Sequence, residues 1–230
     1  MAYGELGRFN LESLVMKRMI NYWLRVAQSK NSKLSNIVYK LLRQLNDNGI
    51  FESKWINKVK ECLDNCGLSN VWQNPSEINP IWLKNSIDLR LSDIDKQNWK
   101  QEVDRNNLCT NYRMFKTDSG FEKYLINLDF MDYRALVKFR CGNHRLPVSN
   151  NRYESDSVQN VCTICNTNDV GDEFHYLFKC PSLVNERKQL IKPYFYQRPN
   201  AIKYKELFNL TNKKQLRNLA KFITYTVSLF

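Results

Sequence analysis

Cys162-Thr163-Ile164-Cys165, nine intervening residues, His175, four more, then Cys180 and Pro181 constrain the chain more than any other stretch. Three sulfurs and one imidazole, spaced as close pair, loop and close pair, form the ligand set of a closed tetrahedral zinc site. A two-residue gap lets a knuckle turn aim both sulfurs at one point. The five-residue step from His175 to Cys180 suits a short turn or the first turn of a helix. Turn formers fill the gap from Asn166 to Asp172, as a reversal between ligand pairs requires. Cys162, Cys165, His175 and Cys180 are therefore the expected ligands of one Zn²⁺. The competing reading is an incidental or redox cysteine pair, but a redox CxxC wants a βαβ context that this sequence lacks. With no ligand position left for water, the expected site is structural. Cys62 and Cys66 read as buried small hydrophobes; Cys109 and Cys141 look solitary.

Composition narrows the rest. The chain is 43% hydrophobic with only seven glycines and six prolines in 230 residues, which suits a folded, helix-rich protein. Seven cysteines, no secretory leader and no apolar run of about 20 residues point to a soluble intracellular protein, cytoplasmic or nuclear, with no membrane partner.

Charge is concentrated at both ends. Residues 1–60 carry 11 Lys/Arg against 4 Asp/Glu, residues 61–180 carry 14 against 17, and residues 181–230 carry 10 against 2. Two basic ends suit a polyanion such as RNA or DNA, because each neutralised phosphate releases counterions. A solubilising surface is the plainer reading of the same charge.

Apolar spacing predicts helices over residues 10–29 (inward Leu11, Leu14, Val15, Met19, Tyr22, Trp23, Val26) and from Leu34 to Leu45 (inward Leu34, Ile37, Val38, Leu41, Leu42, Leu45). Gly49 is placed for the left-handed stop of the second. A third helix spans 54–66 before Gly67, a long exposed one runs from Ile81 to about Phe115 with a break near 106–111, and another covers Met131 to Arg140. Phe121 to Leu128 is ambiguous between strand and helix. Helices follow over Leu183 to Tyr194, Lys203 to Leu210, and after a Thr211 cap. The expected fold is all-α, an irregular helical assembly with a small CCHC zinc-knuckle insert. Its expected parts are a helical lobe over 1–74, a long helix and basic helix/loop segment over 81–160, the knuckle over 161–181 and basic helices over 182–230. They form one continuous domain, or two lobes divided near residues 75–80.

Directly before the knuckle, Arg134, Lys138, Arg140, Arg145 and Arg152 occur with no acid between them, interleaved with Phe139, His144 and Tyr153. Cations among aromatic faces suit single-stranded nucleic acid. Arg140 and Arg145 are the first choices for phosphate contact, and Lys179 beside a ligand is a sensible partner for the anionic cluster. No phosphate loop, H-E-x-x-H, nucleophile elbow or catalytic aspartate pair is present, so no enzymatic activity is expected.

The knuckle spacing, the run from Arg140 to Tyr153, the early Gly7-Arg8-Phe9 and Tyr22-Trp23-Leu24 together resemble the region after the polymerase domain of non-LTR retrotransposon reverse transcriptases. The resemblance runs from about residue 4 to the end, with the knuckle as its one specific motif. It implies a helical region whose knuckle helps bind template RNA or target DNA in target-primed reverse transcription, alongside other retroelement proteins. It also implies zinc on the four ligands, with Arg140, His144 and Arg152 near nucleic acid. The polymerase aspartate motif and the endonuclease are absent, and the gap of nine exceeds the four of the short retroviral knuckle. The alternative is a zinc-stapled scaffold that docks proteins.

Overall fold

The computed structural model describes residues 2–106, 109–150 and 160–230. Its α-helices are α1 (Ala2–Leu6), α2 (Leu11–Ala27), α3 (Leu34–Asp47), α4 (Lys54–Asn65), α5 (Ser69–Gln73), α6 (Pro80–Arg105) and α7 (Tyr112–Phe115). They continue as α8 (Tyr124–Asn127), α9 (Phe130–Arg140), α10 (Pro147–Asn150), α11 (Val184–Leu190), α12 (Pro193–Tyr196), α13 (Ala201–Phe208) and α14 (Lys213–Ser228). No strand occurs among the described residues, apart from one isolated bridge between Val161 and Val170. The protein is all-α. None of these helices is long and apolar enough to cross a membrane.

The chain divides into two compact units, Phe9–Asn98 and Met1–Arg8 with Trp99–Phe230. The division falls inside α6, whereas the prolines near residues 75–80 had suggested it there. Pro75 and Pro80 bend the chain, but Leu83, Ile87 and Leu91 beyond them still enter the core of Phe9–Asn98, so the turn is internal to that unit.

Local signals set the helix ends of this unit. Asn10 and Ser53 cap α2 and α4 through their side chains, accepting from Glu12 N and Ile56 N. Gly49 (φ 70°) and Gly67 (φ 66°) supply the left-handed residues after α3 and α4. Inside, Trp23 stacks on Trp72 at 5.4 Å and donates from Nε1 to the Tyr39 hydroxyl at 3.1 Å.

The inward faces differ from those the spacing predicts. On α2 the buried residues are Ser13, Ile20, Trp23, Leu24 and Val26, while Leu11, Leu14, Val15 and Tyr22 are exposed. On α3 only Asn36 and Tyr39 are buried, and Leu34, Ile37, Val38 and Leu41 face solvent. Asn36 and Tyr39 dock in their place: Asn36 Nδ2 donates to the carbonyls of Val26 and Ala27, both at 3.1 Å, and the buried Tyr39 hydroxyl accepts from Trp23 Nε1. With those two on the packed side, Leu34, Ile37, Val38 and Leu41 lie on the opposite side, while Leu42 of the same stripe still packs against the core.

In the other unit, α14 packs on α9 and α11, and α13 packs on α7. Phe115 and Phe208 stack at 4.5 Å in the core between them. Phe121–Leu128 resolves as the single turn α8, and Thr211 is displaced as cap by Asn212, whose side chain accepts from Gln215 N. The helix expected over Leu183 to Tyr194 is split at Ile191 and Lys192, because Pro193 cannot donate to the carbonyl one turn back.

The first residues belong to this unit too. A Cβ on Gly4 would lie 2.3 Å from Trp99 Nε1, so only glycine lets α1 approach the indole. Next to it the buried Glu5 carboxylate meets Arg140 at 3.1 and 3.2 Å and accepts from the Tyr124 hydroxyl.

Candidate metal centre

Two short pieces of irregular backbone bring the four donors together. The bridge at Val161 and Val170 closes a tight reversal in which Cys162 N donates to Asp169 O at 2.9 Å and Gly171 N to Asn160 O at 2.6 Å. Asn168 holds φ 55° at the bend, a conformation asparagine tolerates better than most residues. Gly171 is required by closeness: a Cβ there would stand 2.8 Å from the Tyr176 hydroxyl and 3.2 Å from the Cys162 backbone.

The second piece is a π-helical turn, His175–Lys179, opened by Asp172 Oδ1 accepting from His175 N at 2.7 Å. Cys180 N donates to His175 O at 2.8 Å, the i to i+5 bond that matches the five-residue step between these ligands. Buried Arg187 holds the far end of the turn, donating to the carbonyls of Tyr176, Leu177 and Cys180 at 3.1, 2.8 and 2.9 Å.

One donor atom from each of Cys162, Cys165, His175 and Cys180 lies within 4.8 Å of all the others. Cys162 Sγ and Cys180 Sγ are 4.0 Å apart, and Cys165 Sγ stands 3.4 Å from His175 Nε2. Tetrahedral zinc with bonds of about 2.3 Å to sulfur and about 2.0 Å to nitrogen needs edges of about 3.8 Å between sulfurs and about 3.6 Å from sulfur to nitrogen. The cluster can hold a metal ion, and its spacing is compatible with zinc. The far imidazole nitrogen, Nδ1, is buried without a hydrogen bond among the described residues and stands 3.6 Å from Asp169 Oδ2. That places a carboxylate where metal-bound histidines commonly find an outer partner.

Electrostatics divide the donors. Burial pushes the Cys180 thiol up to about 12 and lowers the His175 imidazole below its ordinary value, keeping it neutral as a ligand requires. For Cys165 burial works the same way, but hydrogen bonds from the Thr167 side chain and backbone outweigh it and lower the thiol. Cys165 therefore loses its proton more readily than Cys180. Burial also pushes up the thiols of Cys62, Cys66 and Cys141, as for small hydrophobes set in packed surroundings.

The basic residues before the cluster are sorted by burial. Arg140 is fully buried, bonded to Glu5 and to Phe208 O at 2.8 Å, with its guanidinium 4.5 Å from the Phe115 ring centre. It is a core residue and does not face a phosphate, which corrects the expectation for it. His144 is likewise inside, its Nε2 2.8 Å from Glu173 Oε1 and its side chain 1% exposed. Lys179 is exposed, its ammonium 5.5 Å from the Phe174 ring centre. Arg152 and Tyr153 lie outside the described residues.

Arg134, Lys138 and Arg145 are exposed and share one groove of about 980 Å³ between α9 and α14. Lys221, Thr224 and Tyr225 of α14 complete its rim. Sequence reasoning missed Lys221 and Tyr225, although both lie off the Leu216, Leu219, Phe222 and Ile223 face that it had assigned inward. It missed Arg187 as well, for which no local signal exists.

Comparisons of the chain with protein-family models, with curated proteins and with solved structures find no match in any of the three.

Proposed function

We propose that the chain is a non-catalytic, zinc-stabilised nucleic-acid-binding module, similar in role to the region after the polymerase domain of non-LTR retrotransposon reverse transcriptases. The observation that carries this reading is the α9/α14 groove. Arg134, Lys138, Arg145 and Lys221 line it, and among the described residues none of them pairs with a carboxylate. Zinc on Cys162, Cys165, His175 and Cys180 fills a four-donor set with no position left for water, so its part is to fix the turn that ends in Cys180. RNA or DNA supplies the phosphates.

Salt titration tests the mechanism. Four phosphate contacts on a single strand give a slope of about −2.8 in log affinity against log salt, so binding should weaken about fifty-fold between 50 and 200 mM. Fluorescence anisotropy with a labelled oligonucleotide reads this directly, and a salt-insensitive affinity removes phosphate contact as the mechanism.

One observation favours a second reading, a protein-docking scaffold. The exposed stripes Leu11, Leu14, Val15 and Tyr22 on α2 and Leu34, Ile37, Val38 and Leu41 on α3 both lie opposite the packed side of their helices. Exposed Arg18, Arg25, Lys33 and Lys40 flank them, so the fitting occupant is an acidic amphipathic helix of a partner protein. A synthetic acidic amphipathic peptide should bind the parent, and Ile37→Asp with Leu41→Asp should weaken that at least ten-fold without lowering Tm. Concentration-dependent dimerisation lost in the same variant would instead name a second copy as the occupant.

A further inference from the structure

We propose that the α9/α14 groove takes a single strand with unpaired bases in preference to a duplex; this rests on the nucleic-acid reading above and specifies its ligand. Phosphate-binding cations alone do not discriminate the two, because strand and duplex both present phosphates. What discriminates is the groove between the cations. Its wall is apolar, with half-buried Val227 and Phe230 at the surface and the buried Phe139 and Ile223 behind them. Tyr225 stands at the rim with 41% of its surface exposed. The one acidic side chain in the lining, Asp132, is held by Arg217 at 3.4 Å. The rim therefore presents cations over an apolar cleft.

A duplex keeps its base faces stacked on one another and offers such a cleft nothing apolar. A single strand offers both components at once, phosphates for Arg134, Lys138, Arg145 and Lys221 and base faces for the Tyr225 ring and the wall beneath it. The volume, about 980 Å³, falls at the upper end of pockets that enclose drug-sized molecules, roughly 300–1,000 Å³, which is room for nucleotides side by side. Each base stacked on an aromatic ring is worth about 5- to 150-fold in affinity, a preference that tolerates any base because every base has a π-face.

The test uses the full chain and three fluorescent probes of equal length: a single strand of twelve nucleotides, its duplex, and a twelve-unit abasic sugar-phosphate strand. The single strand should bind at least ten-fold tighter than the other two. Tyr225→Ala should cost it about 5- to 150-fold while changing the abasic strand less than two-fold, and Tyr225→Phe should restore binding. Lys138→Glu with Lys221→Glu should weaken all three probes together. Equal binding of all three probes, with Tyr225→Ala silent, overturns single-strand selection and leaves the nucleic-acid reading standing. Failure of every probe to bind at 50 mM salt overturns both.

Discussion

Arg140→Ala is expected to destabilise the unit formed by Met1–Arg8 and Trp99–Phe230 by about 3–5 kcal/mol, because it strands the Glu5 carboxylate inside. Glu5 is 2% exposed and the Arg140 side chain is fully buried, so water cannot replace the lost partner. Burial opposes the arginine's charge, yet Glu5, Tyr124 and Glu122 outweigh it and hold its pKa above the ordinary value. Urea unfolding should show the loss, with a fall in Tm on the order of 10 °C. Arg140→Met combined with Glu5→Leu should cost less than Arg140→Ala alone, since it removes both charges and leaves the apolar rings to pack. The sequence had offered Arg140 as a phosphate ligand. A variant that melts like the parent but loses nucleic-acid affinity would return it to that role.

The second large effect concerns the metal. The parent should carry one zinc per chain by elemental analysis, and Cys180→Ser or Cys162→Ser should carry none. Ligation that binds the folded state alone adds about 4 kcal/mol when free metal is a thousand times its Kd, so chelation should lower Tm by several degrees. Acidification should release the ion as well, because metal must displace protons from the three thiols, Cys180 among them with its pKa raised to about 12. Arg187→Ala should weaken zinc retention without removing a ligand, since it frees the carbonyls of Tyr176, Leu177 and Cys180 that hold the π turn. A metal-free, fully folded parent would sink the zinc assignment.

Much of this molecule was legible without coordinates. Helical spacing, caps and glycine stops are local, and they located α2, α3, α4, α9 and α14 to within a few residues. The quartet that could hold a metal ion was legible for the same reason, because its four donors lie close together in the sequence. Inward faces were harder. On α3 most of the regular apolar stripe is exposed, since Asn36 bonds the last carbonyls of α2 and Tyr39 bonds Trp23 on the other side of the helix.

The sequence by itself therefore determined the helical class and the four donors that could hold a metal ion. Tertiary structure decided what no window of neighbours contains. It joined Glu5 to Arg140 across 135 residues, turning a candidate phosphate ligand into a buried ion pair. It set α9 beside α14, so that Arg134 and Lys138 share a groove with Lys221 and Tyr225. The physical reason is that helix formation and the gathering of four donors close in sequence are satisfied within a few turns of chain, whereas burial, and with it the state of every charge, depends on partners distant in sequence.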